Sequence, residues 1–183
     1  MMPDNGTCRL CRKVRRLQDS HIIPKFVFDW MKRTGPKYFR YAGTPNIRRQ
    51  DGIREMLLCE ACEDLFSKDE RLFAKLIFRP VIADPARSFS YDEYLMRFLL
   101  SVVWRVMTSR VYTGSRTTEF TKELAEAEEE WRGYLVGESD LARFNPVHIF
   151  VTDILADRAQ PVQDLNSYMA RAVDATIAES RSL

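Results

Sequence analysis

The sequence is poor in glycine and proline and has no long uninterrupted apolar run. Its 183 residues include only 7 Gly and 8 Pro, while 45% are hydrophobic, which excludes a disordered or fibrous chain and favours a compact domain with a real core. The longest apolar stretch, residues 95–107, is interrupted by Arg97 and Arg105 and falls short of the roughly 20 residues that span a bilayer. The first residues are polar and basic, unlike the apolar core of a secretory signal, so we expect a cytoplasmic protein without a membrane segment.

The small net charge of +2 conceals an uneven distribution. Residues 1–60 carry 13 Lys or Arg against 6 Asp or Glu, a balance of +7, whereas residues 61–183 balance to −5. A basic segment of this kind attracts phosphate, so the first third is a candidate nucleic-acid surface. Clusters such as Arg12, Lys13, Arg15 and Arg16 are also common on ordinary solvated surfaces, and charge alone does not decide between the two interpretations.

Cysteine is also rare, but its four copies are arranged as two Cys-x-x-Cys pairs. The pairs Cys8/Cys11 and Cys59/Cys62 supply the four thiolates that a structural zinc ion binds, at about 2.3 Å each. Disulfides are not expected in a chain that lacks an export signal. A redox dithiol needs one such pair in a strand–helix unit of an α/β sheet, so two pairs favour zinc. A closed site of four cysteines has no position for substrate, and its metal would stabilise the fold without taking part in chemistry.

The segment between the cysteine pairs predicts a small α+β unit. Pro24 suits the first turn of a helix over residues 25–33, whose apolar side chains fall on one face. The dipeptide Asp51-Gly52 predicts a type I′ turn that joins strands 46–50 and 53–58 into a hairpin leading to the second pair. Further short strands are predicted over residues 14–17, 20–23 and 38–41.

One histidine lies inside this segment, in the run Asp19-Ser20-His21-Ile22-Ile23-Pro24. Together with the first cysteine pair and the run Leu57-Leu58-Cys59-Glu60-Ala61-Cys62, it resembles the zinc-containing HNH endonucleases, which have a treble-clef ββα-metal core. The resemblance covers about residues 6–70. It implies that His21 is the general base that takes a proton from the attacking water. It also implies one divalent ion, Mg²⁺ or Mn²⁺, that stabilises the scissile phosphate and the leaving 3′ oxygen.

The metal-binding positions of that family are occupied differently here. The family usually has Asp directly before the histidine, where this chain has Ser20, and Asp19 stands one residue earlier. The position of a common Asn is Arg54, and the residue after the last cysteine is Glu63, whose carboxylate suits Mg²⁺. Because side chains alternate along a strand, Asp19 and His21 are expected on one face and Ser20 on the other. Asp19 and Glu63 are therefore the candidate ligands of the catalytic ion.

Each of these residues also has a purely structural interpretation. His21 can orient a turn or hydrogen-bond the zinc loop, and Glu63 near the start of a helix is favoured by the helix dipole without any metal. Ser67 and Glu70 form a capping-box pattern and are interpreted as helix caps rather than ligands. The second histidine, His148, lies in an apolar run typical of a strand and is not placed in the site.

Residues 71–183 are predicted to form a mainly helical region that follows the zinc-stabilised module of residues 1–70. A capping box over residues 90–93 precedes a buried helix over about 91–112, in which Trp104 is expected to pack in the core rather than stack on a base. Helices are also predicted over residues 118–135, with a solvated acidic face, and 164–179, and a strand is predicted over 147–155.

The sequence thus predicts an α+β protein whose treble-clef zinc core carries a helical region packed on it. The favoured function is metal-dependent cleavage of DNA with His21 as the base. Two alternatives stay open. One is a catalytically silent zinc module that binds nucleic acid or protein through the same surface, and the other is a component whose helical region docks on a partner protein.

Overall fold

The computed structural model of this chain describes residues 5–35, 38–41, 44–84, 88–110 and 121–140. These residues form an α+β fold, as predicted, and none of their helices is long and apolar enough to cross a membrane. The elements are, in chain order, β1 (Asn5–Thr7), β2 (Val14–His21), α1 (Lys25–Thr34), β3 (Phe39–Tyr41), β4 (Thr44–Arg49), β5 (Arg54–Cys59), α2 (Glu60–Phe73), a π-helical turn (Ala74–Phe78), α3 (Arg79–Ala83), α4 (Glu93–Thr108) and α5 (Thr121–Val136). The strand predicted over residues 147–155, the helix predicted over 164–179 and His148 lie outside the described residues.

Three antiparallel strands in the order β1-β2-β5 carry the histidine. The two short strands predicted over residues 14–17 and 20–23 are one continuous strand, β2, which ends at His21. A bulge between Gln18 and Asp19 shifts the register with β5, so that His21 lies opposite Arg54 at the end of the ladder. Pro24 directly precedes α1, and the predicted position of this helix is confirmed.

The prediction of a hairpin over residues 46–58 is wrong. β4 pairs with β3, and β5 pairs with β2. Neither Asp51 nor Gly52 adopts the positive φ that a type I′ turn requires. Gly52 is needed for a different reason, because the ring of Phe28 packs where a Cβ at this position would lie. The pairing of β5 with β2 buries Leu57 and Leu58, and this long-range burial overrides the local turn preference of Asp51-Gly52.

Helix α2 runs through the capping box predicted at Ser67, so this prediction is also wrong. Ser67 lies inside the helix, where its hydroxyl donates to the Asp64 carbonyl oxygen at 3.1 Å. Cys62, Phe66 and Phe73 are buried along one face of α2, and this apolar periodicity favours continuing the helix over ending it.

The second predicted capping box marks the right place but the wrong capping residue. The side chain of Asp92, rather than Ser90, accepts the N–H of Tyr94 at 3.0 Å at the start of α4. This helix ends at Thr108 rather than near residue 112, and α5 overlaps the helix predicted over residues 118–135.

One hydrophobic core joins the cysteine-bearing strands to the helices. Leu100 and Trp104 of α4 and Leu135 of α5 are buried in the same cluster as the cysteines. The ring of Trp104 is fully buried and lies edge-on to Phe66, with 6.3 Å between centroids, so its predicted packing role is confirmed. A second cluster beside it contains Phe73, Ile77, Tyr94, Leu95 and Phe98. The predicted boundary at residue 70 falls inside α2, and the core extends across it.

Two buried arginines attach the helices to the strands. Arg105 of α4 is 2% exposed and donates to the His21 carbonyl oxygen at 2.9 Å and to Glu70 Oε1 at 2.7 Å. Arg132 of α5 is 6% exposed and donates to the Leu10 carbonyl oxygen at 3.1 Å, within the first cysteine pair. A guanidinium is costly to remove from water, so each of these groups depends on the acceptors that the strands and helices bring to it.

Replacing Arg105 is expected to destabilise the fold. Arg105→Met fills much of the same volume but leaves the His21 carbonyl and the Glu70 carboxylate without their donor, at a cost of about 2–3 kcal/mol in the free energy of unfolding. Urea unfolding of the zinc-loaded protein measures this cost. The exposed Arg79→Met is the matched control and should change stability by less than about 0.5 kcal/mol. Equal stability of the two variants would contradict this role of Arg105.

Candidate functional site

A tight loop between β1 and β2 carries the first cysteine pair. The N–H of Cys8 donates to the Lys13 carbonyl oxygen at 3.0 Å, and the N–H of Arg12 donates to the Cys8 carbonyl oxygen at 2.9 Å. Arg12 adopts the left-handed conformation, with φ of 59°, which lets the chain reverse direction within this loop. The reversal brings Cys8 and Cys11 to the same side of the loop.

The second pair lies where β5 becomes α2. Cys59 is the last residue of β5, and Cys62 lies in the first turn of α2. Two hydrogen bonds from backbone N–H groups join this junction to the first loop: the N–H of Arg9 donates to the Leu57 carbonyl oxygen at 3.1 Å, and the N–H of Cys59 donates to Cys8 Sγ at 3.3 Å. The two pairs are therefore held face to face by the strands.

The predicted gathering of the four cysteines is confirmed. Their Sγ atoms all lie within 4.8 Å of one another, and all four cysteines are free thiols. Cys11 Sγ and Cys59 Sγ are 3.8 Å apart, which matches the separation of about 3.8 Å between two sulfurs bound tetrahedrally at about 2.3 Å from zinc. The cluster could hold a metal ion, and its donor set and spacing are compatible with structural zinc.

The electrostatics of the cluster favour a cation. The hydrogen bond from the Cys62 thiol, together with those from nearby backbone N–H groups, outweighs the opposing effect of burial and lowers the pKa of Cys8 to about 4. Sharing its proton with Cys8 raises the pKa of Cys62, and burial acts in the same direction. Cys8 is thus a buried thiolate, whereas the raised pKa values of Cys59 and Cys62 keep their thiols protonated, and a bound cation would neutralise the charge on Cys8.

His21 lies at the end of β2 with its side chain 16% exposed. Its Nε2 is 3.0 Å from Asp51 Oδ2, and its ring lies 6.5 Å from that of Phe28. Burial works to raise the pKa of Asp51, but the hydrogen bonds from His21 and from the Gly52 N–H outweigh it and hold this pKa below its usual value. Asp51 is therefore a carboxylate at neutral pH, and it can only accept a hydrogen bond from the ring.

The backbone at His21 is fixed from α4 as well. Arg105 holds the His21 carbonyl, and just beyond it Glu55 of β5 accepts hydrogen bonds from the Ser109 hydroxyl and, at 3.1 Å, from the Arg110 N–H. The C-terminal end of α4 is thus attached to both strands that meet at the histidine.

Asp19, the first candidate ligand, lies beside the bulge of β2. Its carboxylate is half-exposed and pairs with Arg54 Nε at 3.2 Å, and its carbonyl oxygen accepts Arg54 Nη2 at 3.2 Å. Ser20 points inward and is fully buried, and its Oγ accepts the Leu58 N–H at 3.3 Å.

Glu63, the second candidate ligand, lies in the first turn of α2, next to Cys62. Its Oε1 is buried and has no hydrogen-bond partner, which is unusual for a carboxylate oxygen. In the part of the chain that the structure describes, the four cysteines are the only group of three or more His, Cys, Asp or Glu side chains close enough to hold one ion.

Two residues that organise the site were not predicted. The sequence pattern at Asp51 indicates only a turn, and Arg105 interrupts an apolar stretch without indicating a partner. A charged residue in the middle of an otherwise apolar helix face is itself a signal of a buried ion pair, and it was present at Arg105. No local pattern indicates that Asp51 meets a histidine thirty positions earlier in the chain.

Basic side chains surround the histidine-bearing sheet. Arg9, Lys13, Arg15 and Arg16, on the first loop and β2, are all exposed. Arg54 lies opposite His21 in the β2–β5 ladder, and its guanidinium pairs with Asp19.

Comparisons with family models, curated proteins and solved structures find no match to this chain.

We expect the purified protein to contain one zinc ion per chain. A zinc site of this type contributes on the order of 10 kcal/mol to folding, so Cys62→Ser or a strong chelator should abolish the cooperative thermal transition. Elemental analysis gives the metal content, and circular dichroism follows the transition. Zinc added back to the chelated wild type, but not to the variant, should restore it. A metal-free wild type with an unchanged transition would contradict the assignment.

Proposed function

We propose that this chain is a metal-dependent HNH-type endonuclease that hydrolyses phosphodiester bonds in DNA, with His21 as the general base and a structural zinc ion bound by the four cysteines. The observation that carries the proposal is the pairing of His21 Nε2 with Asp51 at 3.0 Å. His21 stands at the end of β2, which the β2–β5 ladder and the hydrogen bond from Arg105 to the His21 carbonyl hold in place. A positioned base with a fixed orienting partner is the arrangement that general-base catalysis requires.

The arrangement of the elements supports this assignment. A cysteine loop, two antiparallel strands and a helix that begins at the second cysteine pair follow one another in space, which is similar to a treble-clef ββα core. The free cysteines suit a reducing compartment, so the proposal includes a cytoplasmic location.

The tautomer of His21 follows from its partner. The Asp51 carboxylate only accepts, so Nε2 of the neutral ring carries the hydrogen and Nδ1 keeps its lone pair. Nδ1 is then the atom that takes the proton from water as the water oxygen attacks phosphorus. The bond from phosphorus to the 3′ oxygen breaks, and this oxygen leaves with a proton from solvent. Asp51 stabilises the imidazolium that forms.

The catalytic metal would take Glu63 and Asp19 as ligands, which requires Asp19 to leave its ion pair with Arg54, because in the described residues these two do not form a ready group of three ligands with His21. The unpartnered buried Oε1 of Glu63 fits a hard divalent cation, for which carboxylate oxygens are the preferred ligands. When bound, Mg²⁺ or Mn²⁺ supplies positive charge to the phosphate and the leaving oxygen. The neighbouring Arg54 and the exposed arginines of β2 would hold the phosphate backbone.

The second candidate function is a catalytically silent zinc module that binds nucleic acid or a protein partner. The observation that favours it is the ion pair of Asp19 with Arg54, which occupies a carboxylate that the catalytic ion would need. A protein partner would dock on the helical region, where Glu123 and Glu126 of α5 are exposed.

The nuclease predicts cleavage of supercoiled plasmid and single-stranded DNA in Mg²⁺ or Mn²⁺. His21→Ala should lower the rate by about 10²- to 10⁴-fold, because it removes the general base. His148→Ala is the matched control, since it removes the other histidine of the chain and should leave the rate unchanged. Circular dichroism and zinc content must show that both variants fold.

Two results would separate the alternatives. If neither wild type nor variant cleaves while DNA is retained in a salt-dependent way, the silent module is correct. Cleavage that survives His21→Ala would exclude the proposed mechanism.

A further inference from the structure

The β3–β4 hairpin presents an aromatic ring and a guanidinium to solvent. Tyr38, just before β3, is 47% exposed, and the guanidinium carbon of the exposed Arg48 in β4 lies 5.3 Å from the centre of its ring. Residues 38–49 include three arginines and no Asp or Glu. This surface therefore combines positive charge with an accessible π-system.

Two ring contacts made through Phe39, the residue after Tyr38, join the hairpin to the neighbourhood of the candidate base. The ring of Phe39 in β3 packs edge-on against Phe28 at 5.4 Å, and Phe28 in turn lies 6.5 Å from the ring of His21. Arg48 also stands three positions before Asp51, so their Cα atoms are at most about 11 Å apart. That distance is on the order of one or two nucleotides of an extended strand.

We propose that the β3–β4 hairpin binds an unpaired stretch of nucleic-acid strand next to His21, with Tyr38 stacking on a base and Arg48 contacting the adjoining phosphate. The inference rests on the proposed function in that the substrate is a nucleic acid. An aromatic ring accepts any base by stacking, and an arginine beside it supplies both a cation–π contact and a phosphate partner.

The surface favours single strands over duplexes. In a duplex the bases are stacked inside the helix, and a tyrosine at the edge of a hairpin does not reach their faces without unstacking them, which costs a few kcal/mol. An unpaired strand offers its base faces without this cost. The hairpin thus selects substrates that contain single-stranded or unpaired nucleotides.

The test is the affinity of the zinc-loaded full chain for a fluorescein-labelled oligothymidylate and for a duplex of equal length, without added Mg²⁺ or Mn²⁺. We expect Tyr38→Ala to weaken binding of the single strand about tenfold and Tyr38→Phe to leave it nearly unchanged. Arg48→Ala should also reduce the slope of log affinity against log salt by about 0.7, the contribution of one phosphate contact.

The controls have matched chemistry on another part of the molecule. Tyr91→Ala removes an exposed tyrosine beyond the N-terminal end of α4, whose other end contacts His21, and Arg79→Ala removes an exposed arginine of α3. Both should bind like wild type. Wild-type affinity in Tyr38→Ala, or equal affinity for the single strand and the duplex, would overturn the inference.

The result is separable from the nuclease assignment because binding is read without cleavage. If Tyr38→Ala weakens binding and the wild type never cleaves DNA, the binding role of the hairpin is supported and the nuclease function is excluded. If cleavage depends on His21 and Tyr38→Ala binds like wild type, the nuclease function is supported and the binding role of the hairpin is excluded.

Discussion

The contact on which the rest of the structure depends is the meeting of four sulfur atoms within 4.8 Å of one another. It joins the loop at Cys8 and Cys11 to the strand–helix junction at Cys59 and Cys62, and so closes the whole intervening chain into one loop. That loop contains the strand that ends at His21, helix α1 and the β3–β4 hairpin. Three of these cysteines are buried and Cys11 is half-buried, and a metal ion, which the cluster could hold, would anchor this long segment.

Helices α4 and α5 help to hold the strands that carry the histidine and the cysteines in position. Arg105 and Arg132 reach from α4 and α5 into the strand region, and each donates to a backbone carbonyl there, at His21 and at Leu10. A buried guanidinium tolerates little displacement, because losing one acceptor leaves charge without a partner in a place that water does not reach. The position of the histidine is consequently set from two sides, by the β2–β5 ladder and by the end of α4.

Short sequence patterns correctly predicted those features of the structure that residues close together in the chain determine. The cysteine spacing, the helix after Pro24 and the packing of Trp104 follow from residues close together in the chain, and all three agree with the structure. Asp51-Gly52 did not form the predicted turn, because β5 gains more by burying Leu57 and Leu58 against β2 than by pairing with its neighbour. Ser67 did not start a helix, because the apolar face of α2 continues through it. The pairing of His21 with Asp51 depends on the completed fold, and no short sequence pattern contains it.

The most direct test of the account is nuclear magnetic resonance of the zinc-loaded protein labelled with ¹⁵N at histidine. The chain has only two histidines, so a His148→Gln variant assigns the signals of His21. At a pH where the ring is neutral, we expect His21 to carry its hydrogen on Nε2 and to leave Nδ1 free, and we expect Asp51→Asn to disturb this state. A hydrogen on Nδ1, or a His21 spectrum that Asp51→Asn does not change, would contradict the claim that this fold holds His21 ready to act as a base.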